Sequence, residues 1–258
     1  LGAILGKLLA DGGGATRIAD TLIAKFGQKH VQWAMLIAAF IVGIALFFEV
    51  GLVLLIPLVF TVAKRANVSI LKLGLPMVTA LSVTHGFLPP HPGPVVIAKE
   101  LKANIGEVLL YGMIIAIPVT LIAGPIFNRF AQKMVPTAYT REGDISSLGT
   151  QKEFKEEEMP GFGISLLTAI LPVILMLIST IVQLITGHEE ATNVFEQIVY
   201  FIGTAGTALL IAVIFAIFTM GMKQQRKMED IMKSVTHAIY PIGMMLLIIG
   251  GGGTFKQV

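Results

Sequence analysis

The sequence predicts an all-α polytopic membrane protein whose spans are interrupted by a re-entrant hairpin and a broken helix. Three observations carry that prediction. The 258 residues are 55% hydrophobic and 14% charged, with a mean hydropathy of +0.82, whereas a soluble domain of this size carries roughly 25% charge. Several stretches of about 20 residues hold no acidic or basic side chain, which is the length a helix needs to cross the hydrocarbon core. Residues 84–94 read T-H-G-F-L-P-P-H-P-G-P inside an otherwise apolar segment. Each proline there removes a backbone donor and clashes with the preceding turn, so no helix runs through it.

Taken in order, residues 1–24 read as the end of a span interrupted at Asp11-Gly12-Gly13-Gly14. Residues 31–63 are anomalous because both flanks are basic: Arg17, Lys25 and Lys29 precede them, and Lys64, Arg65 and Lys72 follow. A simple span would place one basic flank outside, against the positive-inside rule. A hairpin entering and leaving from the cytoplasm places both inside. Its arms, 33–46 and 52–63, would each reach about 18–21 Å, enough to bring a tip at Phe47-Phe48-Glu49-Val50-Gly51 to mid-membrane. The broken helix follows over 73–104.

Residues 108–128 form a span with Pro118 and Pro125 as expected kinks. The loop 129–160 carries Arg129, Lys133, Arg141, Lys152 and Lys155 and is cytoplasmic by the same rule. Its acidic stretch 153–158 is expected to be a solvated, mobile linker. Residues 161–187 and 197–222 are charge-free spans, and the loop 187–196 between them, with three glutamates and no Lys or Arg, faces outward. Lys223, Arg226, Lys227 and Lys233 mark the next loop as cytoplasmic, and 235–255 is a further span weakened by its glycine run at 250–253. That run parallels Asp11-Gly12-Gly13-Gly14, in a segment of opposite direction. An inverted repeat predicts that opposition, although glycine runs also recur by chance in membrane helices. The expected organisation is most of a first repeat over 1–135, a linker over 136–160, and the start of a second repeat over 161–258. The chain is expected to be an internal fragment of a longer protein.

The net charge of +3 lies in the connections and calls for no nucleic-acid partner. Without cysteine there is no disulfide, no thiolate metal site and no Cys nucleophile. Interrupted helices survive in lipid only where protein buries them or where they line a polar cavity, and they build the binding sites of secondary transporters. Glu49 is the one charge in some thirty apolar residues. Such a group usually faces a cavity or a partner, and desolvation suits it to carry a proton, although a paired structural glutamate is the alternative. His85 and His91 flank the Pro-Pro turn. Imidazole titrates near neutrality, so these two suit substrate or proton handling, or a structural hydrogen bond in the turn. Zinc lacks the further ligands it needs.

Unwound backbone and a half-helix N-terminus offer N–H groups to an anion, and Gly93 allows close approach. Thr84 and Ser82 add hydroxyls or back-bond within their helix. The candidate substrate-binding positions are therefore Gly51, Thr84, His85, Gly86, His91 and Gly93, with Glu49 as the proton carrier. Asp11 and Arg17 read as a local ion pair or helix-end charges, His237 and Tyr240 as interfacial or packing residues, and Met220, Met222, Met244 and Met245 as lipid-facing or packing.

Four stretches resemble the gluconate permease family of the ion-transporter superfamily: Gly6-Lys7-Leu8-Leu9-Ala10-Asp11-Gly12-Gly13-Gly14-Ala15, Phe47-Phe48-Glu49-Val50-Gly51, His85-Gly86-Phe87-Leu88-Pro89-Pro90-His91-Pro92-Gly93-Pro94, and Gly250-Gly251-Gly252-Gly253-Thr254-Phe255-Lys256-Gln257-Val258. The resemblance covers essentially the whole chain. It implies an inverted-repeat secondary transporter, multi-pass in the cytoplasmic membrane, that moves gluconate or a related small sugar acid together with protons. D-serine or another small carboxylate is the alternative within the family. It also implies a hairpin and a broken helix in each half, the second pair lying beyond Val258. Superfamily relatives often carry a Ser-Asn-Thr type tip. This chain has Phe48-Glu49-Val50-Gly51 there, which argues against a sodium site of that type. The resemblance implies no cofactor and no enzymatic activity; its partners are the small anion, protons and the bilayer, and the assembly state, a homodimer included, is left open. An intramembrane enzyme would need a nucleophile or metal constellation, and a structural subunit would leave Glu49 and the proline-rich break without purpose.

Overall fold

The computed structural model describes residues 1–140, 154–187 and 190–240, with 243, 247 and 251 as isolated positions. The chain starts with α1 (Gly2–Asp11) and α2 (Gly14–Phe26), separated at Gly12 and Gly13. Gly13 adopts φ +76°, a left-handed conformation that favours glycine. A Cβ on Gly12 would meet the Met220 Cβ at 2.7 Å and the Met220 carbonyl at 2.8 Å. The glycine run therefore turns the chain and brings two backbones together. Asp11 and Arg17 do not pair with each other. Lys7 holds Asp11 at 2.8 Å, and Arg17 reaches forward to Glu156 and Pro160.

A 3-10 turn (Gln28–His30) leads into α3 (Val31–Ala45), and α4 (Phe48–Ala66) follows. Leu46 and Phe47 between them are extended, so 31–66 is two helices and not one span. Gln28 Nε2 lies 3.5 Å from the Arg65 carbonyl, which closes the open end of the pair. The second arm is longer than its expected 52–63. It starts at Phe48, so Glu49 and Gly51 belong to a helical turn and not to a loop. A carboxylate in the first turn faces the positive end of the helix dipole, which favours that register.

α5 (Ile70–Phe87) opens with Ser69 accepting from the Lys72 N–H. It is followed by α6 (Pro92–Glu100), and Asn104 then caps α7 (Ile105–Leu121). At Ile122–Ile126 the helix widens to a π-turn containing Pro125, which has no N–H to give, and continues as α8 (Phe127–Met134). α9 (Phe162–Thr186) returns across the bundle. Glu196 is buried and accepts from Thr192 and Asn193, while Asn193 caps its N–H.

The expected single span 197–222 is divided. α10 (Val194–Gly203) ends where Thr204 turns extended, and α11 (Ala205–Ala216) starts there. Gly203 is seated so tightly on Ser179 and the Leu175 carbonyl that a side chain has no room. That close packing fixes the bend. A second π-turn (Ile217–Gly221) places Met220 in the core. α12 (Met228–His237) starts earlier than the expected 235. The expected span beyond residue 240, with the 250–253 run, lies, apart from the isolated positions, outside the described residues. The expected mobile linker also differs at its end: Glu156–Glu158 is a 3-10 turn held by Arg17, because a guanidinium with two backbone carbonyls to reach fixes the chain there.

The core sits where α1 to α5 meet α9 and α11, around Leu5, Leu8, Ile18, Met35, Leu55, Leu73 and Leu81. A second cluster, with Val83, Leu88, Leu109 and Met176, joins the end of α5 to α7 and α9. Among the described residues, five stretches are long and apolar enough to cross a membrane: Gln28–Ala45, Ile70–Glu100, Ile105–Met134, Phe162–Thr186 and Ala205–Gln224. The chain is an all-α, multi-pass membrane protein.

Candidate functional site

The break in the proline-rich segment is short. Leu88 is extended and donates its N–H to the Thr84 carbonyl, His91 donates back to Leu88 at 3.1 Å, and the Pro89–Pro90 peptide is cis. Pro92 starts α6 at the position where a missing N–H costs nothing. With Pro92 and Pro94 both lacking an N–H, Gly93 is the one donor among the first three positions of α6. The half-helix N-terminus is thus poorer in donors than the sequence pattern suggests.

The turn between α3 and α4 lies against this break. His91 is 4% exposed, and its Nε2 is 2.8 Å from the Gly43 carbonyl of α3. A carbonyl only accepts, so Nε2 carries the proton. The His85 and His91 rings are 4.7 Å apart, and Phe47 stands 5.7 Å and 5.9 Å from them. Three rings thus bridge the tip of one interrupted element and the break of the other. His85 is half-buried, and its Nδ1 is enclosed without a hydrogen-bond partner among the described residues. Glu49 is exposed in the first turn of α4, within electrostatic reach of His85. Phe47 has no side-chain oxygen to cap that turn. Ala3 at the start of α1 and Ala238 after α12 close over Phe47.

The remaining candidates divide into two groups. Gly86 and Gly93 are exposed, and among the described residues no neighbouring segment lies within 4 Å of where a Cβ would stand. Thr84 is fully buried, its hydroxyl donating to Ala80 at 2.9 Å. A Cβ on Gly43 would clash with the same hydroxyl. Gly51 is buried on the Leu81 side chain, 2.8 Å from where its Cβ would stand. Thr84 and Gly51 pack one element on the other, and both are turned into protein. Ser82 is exposed. The His237 and Tyr240 rings lie 5.9 Å apart, tilted by 45°. Among the described residues no three His, Cys, Asp or Glu side chains are grouped to hold a metal.

Sequence reasoning missed Gly43, which carried a faint signal as the lone glycine of an apolar helix. It placed Phe47 at the tip but gave it no role, since aromatic residues are ordinary in membrane segments.

Residues 1–258 match the family described as GntP family permease. The chain belongs to that family. It is 60% identical over 259 residues to a gluconate permease of Bacillus subtilis (strain 168), covering 100% of this chain and 58% of that protein. It is 52% identical over 260 residues to the high-affinity gluconate transporter of Escherichia coli (strain K12), covering 100% and 57%. The D-serine transporter DsdX of the same bacterium is 38% identical over 260 residues, covering 100% and 56%. This permease chain therefore spans less than three-fifths of the length of these relatives. No solved structure matches it. The family is one of permeases and not of enzymes.

Proposed function

We propose that this chain is part of a proton-coupled symporter for gluconate or a closely related sugar acid in the cytoplasmic membrane, with the tip of 31–66 and the break at 88–91 forming one wall of its substrate site. The observation that carries the reading is the ring cluster of Phe47, His85 and His91, where two interrupted elements bury their breaks against each other. Interrupted backbone at membrane depth needs either protein or a water-filled cavity around it, and here one side of each break is packed and the other is open.

In this reading the half-buried His85 ring contacts the anion through its exposed edge, while its Nδ1 is enclosed. Gly86 and Gly93 let the substrate approach the backbone, and Glu49 takes and releases the proton. His91, Thr84 and Gly51 keep the wall in register. The α3–α4 pair enters and leaves from the cytoplasm, consistent with basic residues at both ends and with the Gln28–Arg65 contact. Residues 1–135 then form most of a first repeat, 136–160 a linker, and 161–258 the opening of a second repeat. The gluconate transporters among the relatives favour a sugar acid over D-serine, because the D-serine transporter is the more distant sequence.

Uptake by the intact protein in proteoliposomes tests this. Labelled gluconate should accumulate when the outside is made acidic, and unlabelled gluconate should compete where D-serine does not. Accumulation of D-serine alone would move the reading to that substrate. Gluconate uptake indifferent to the pH gradient would remove proton coupling.

A further inference from the structure

The helix that follows the Asn104 cap is too long for a bilayer. Residues Ile105–Met134 form a stretch of 30 residues, about 45 Å at 1.5 Å per residue against a hydrocarbon core of about 30 Å. Tilt alone would have to exceed the roughly 40° seen at the extreme in membrane proteins. The charge-free run from Val108 to Phe127 already fills the core, so α8 emerges from it. The π-turn at Ile122–Ile126, with its proline, sits where the helix must change direction.

α8 nevertheless keeps a large apolar face. Its protein side is defined by Asn128, which is buried, donates to the Lys72 carbonyl at 2.9 Å and accepts from the Tyr139 hydroxyl at 2.5 Å. At about 100° per residue, Ile126, Phe127, Phe130 and Met134 fall on an arc of about 100° opposite Asn128. Phe130 is 57% exposed and Met134 64%. Arg129 and Lys133 border that arc on one side; both are exposed and make no ion pair among the described residues. The Asn128 bond brings Lys72 to the same end of the bundle. An apolar stripe edged by unpaired cations at the boundary of the core is the pattern of an interfacial helix.

We propose that α8 is a docking surface for anionic phospholipid, with Phe127, Phe130 and Met134 set among the upper acyl chains and Arg129 and Lys133 on the headgroup phosphates. The charge complementarity selects lipid of net negative charge over zwitterionic lipid. It holds whatever the transported substrate is, because no residue of α8 belongs to the candidate substrate site.

The test is tryptophan fluorescence of the intact protein carrying Phe130→Trp, reconstituted in vesicles and read as the difference from the parent. The added emission should be quenched by brominated phosphatidylglycerol at lower mole fraction than by brominated phosphatidylcholine. Arg129→Gln and Lys133→Gln should each reduce that preference about fivefold, the effect of one basic residue at a charged surface. Met134→Trp, on the same arc, should behave alike, and Gln132→Trp, off the arc, should be quenched by aqueous iodide instead. Quenching of Phe130→Trp by iodide, by neither quencher, or equally by both lipids would overturn the proposal; the second of these would mean that protein covers the face.

Discussion

The Nε2 of His91 lies 2.8 Å from the carbonyl oxygen of Gly43 and ties the break between α5 and α6 to α3, 48 residues earlier. Both partners are buried, so the bond is shielded from water, and removing the donor alone leaves an unsatisfied acceptor. His91→Phe keeps an aromatic ring against Phe47 and His85 while removing that donor. Thermal unfolding of the purified protein in detergent should show a loss of about 1–3 kcal/mol. An unchanged melting temperature would mean that the ring cluster, and not the bond, holds the break.

Gly43 and Thr84 form the adjoining contact. A Cβ on Gly43 would clash with the Thr84 hydroxyl, so Gly43→Ala should destabilise by about 1–3 kcal/mol through overpacking. Thr84→Ala removes the obstructing oxygen and costs little itself, since that hydroxyl only back-bonds to its own helix. The double variant should recover most of the loss, and a melting-temperature cycle over the four proteins checks it. Additive losses would place the strain elsewhere.

Arg17 holds the chain ahead of α9 mainly through backbone. Its Nε donates to the Pro160 carbonyl at 3.0 Å and one terminal nitrogen to the Glu156 carbonyl at 2.6 Å. The Glu156 side chain is 87% exposed, and surface pairs of that kind contribute about 0–1 kcal/mol. Arg17→Ala should therefore raise cleavage by a glutamate-specific protease at Glu156–Glu158 about tenfold or more, with Glu156→Gln changing cleavage at the remaining glutamates little. Equal effects of the two would put the anchor in the ion pair.

The break at 88–91 was legible because prolines act on their own backbone and need no partner to be understood. The division of 31–66 was legible from charge, since basic residues on both flanks conflict with one crossing. The bend at Thr204 was not: it depends on Gly203 meeting Ser179 of α9, and a contact between distant segments leaves no local pattern. The burial of Thr84 and Gly51 was hidden for the same reason. Each faces a neighbour, Gly43 or Leu81, that only packing identifies. Residue types at the candidate site could be read from the sequence, but which of them face open space could not.

Glu49 gives the sharpest test of coupling. It stands exposed in the first turn of α4 and within electrostatic reach of His85, so a proton on it changes the charge that an anion beside His85 would meet. Glu49→Gln imitates the permanently protonated form, keeping size and hydrogen-bonding groups. It also removes a favourable charge from a helix N-terminus, about 0.3–1 kcal/mol, too little to unfold the protein. The intact variant in proteoliposomes should still exchange labelled for unlabelled gluconate, yet should lose accumulation driven by a pH gradient, because a carrier that cannot release its proton cannot complete a coupled cycle. If His85 contacts the anion as proposed, His85→Asn should instead weaken apparent gluconate affinity and leave the remaining transport pH-driven, since it removes the ring and leaves the carboxylate. Accumulation by Glu49→Gln equal to that of the parent would take the coupling role from Glu49 and leave it to the histidines at the break or to the rest of the intact protein.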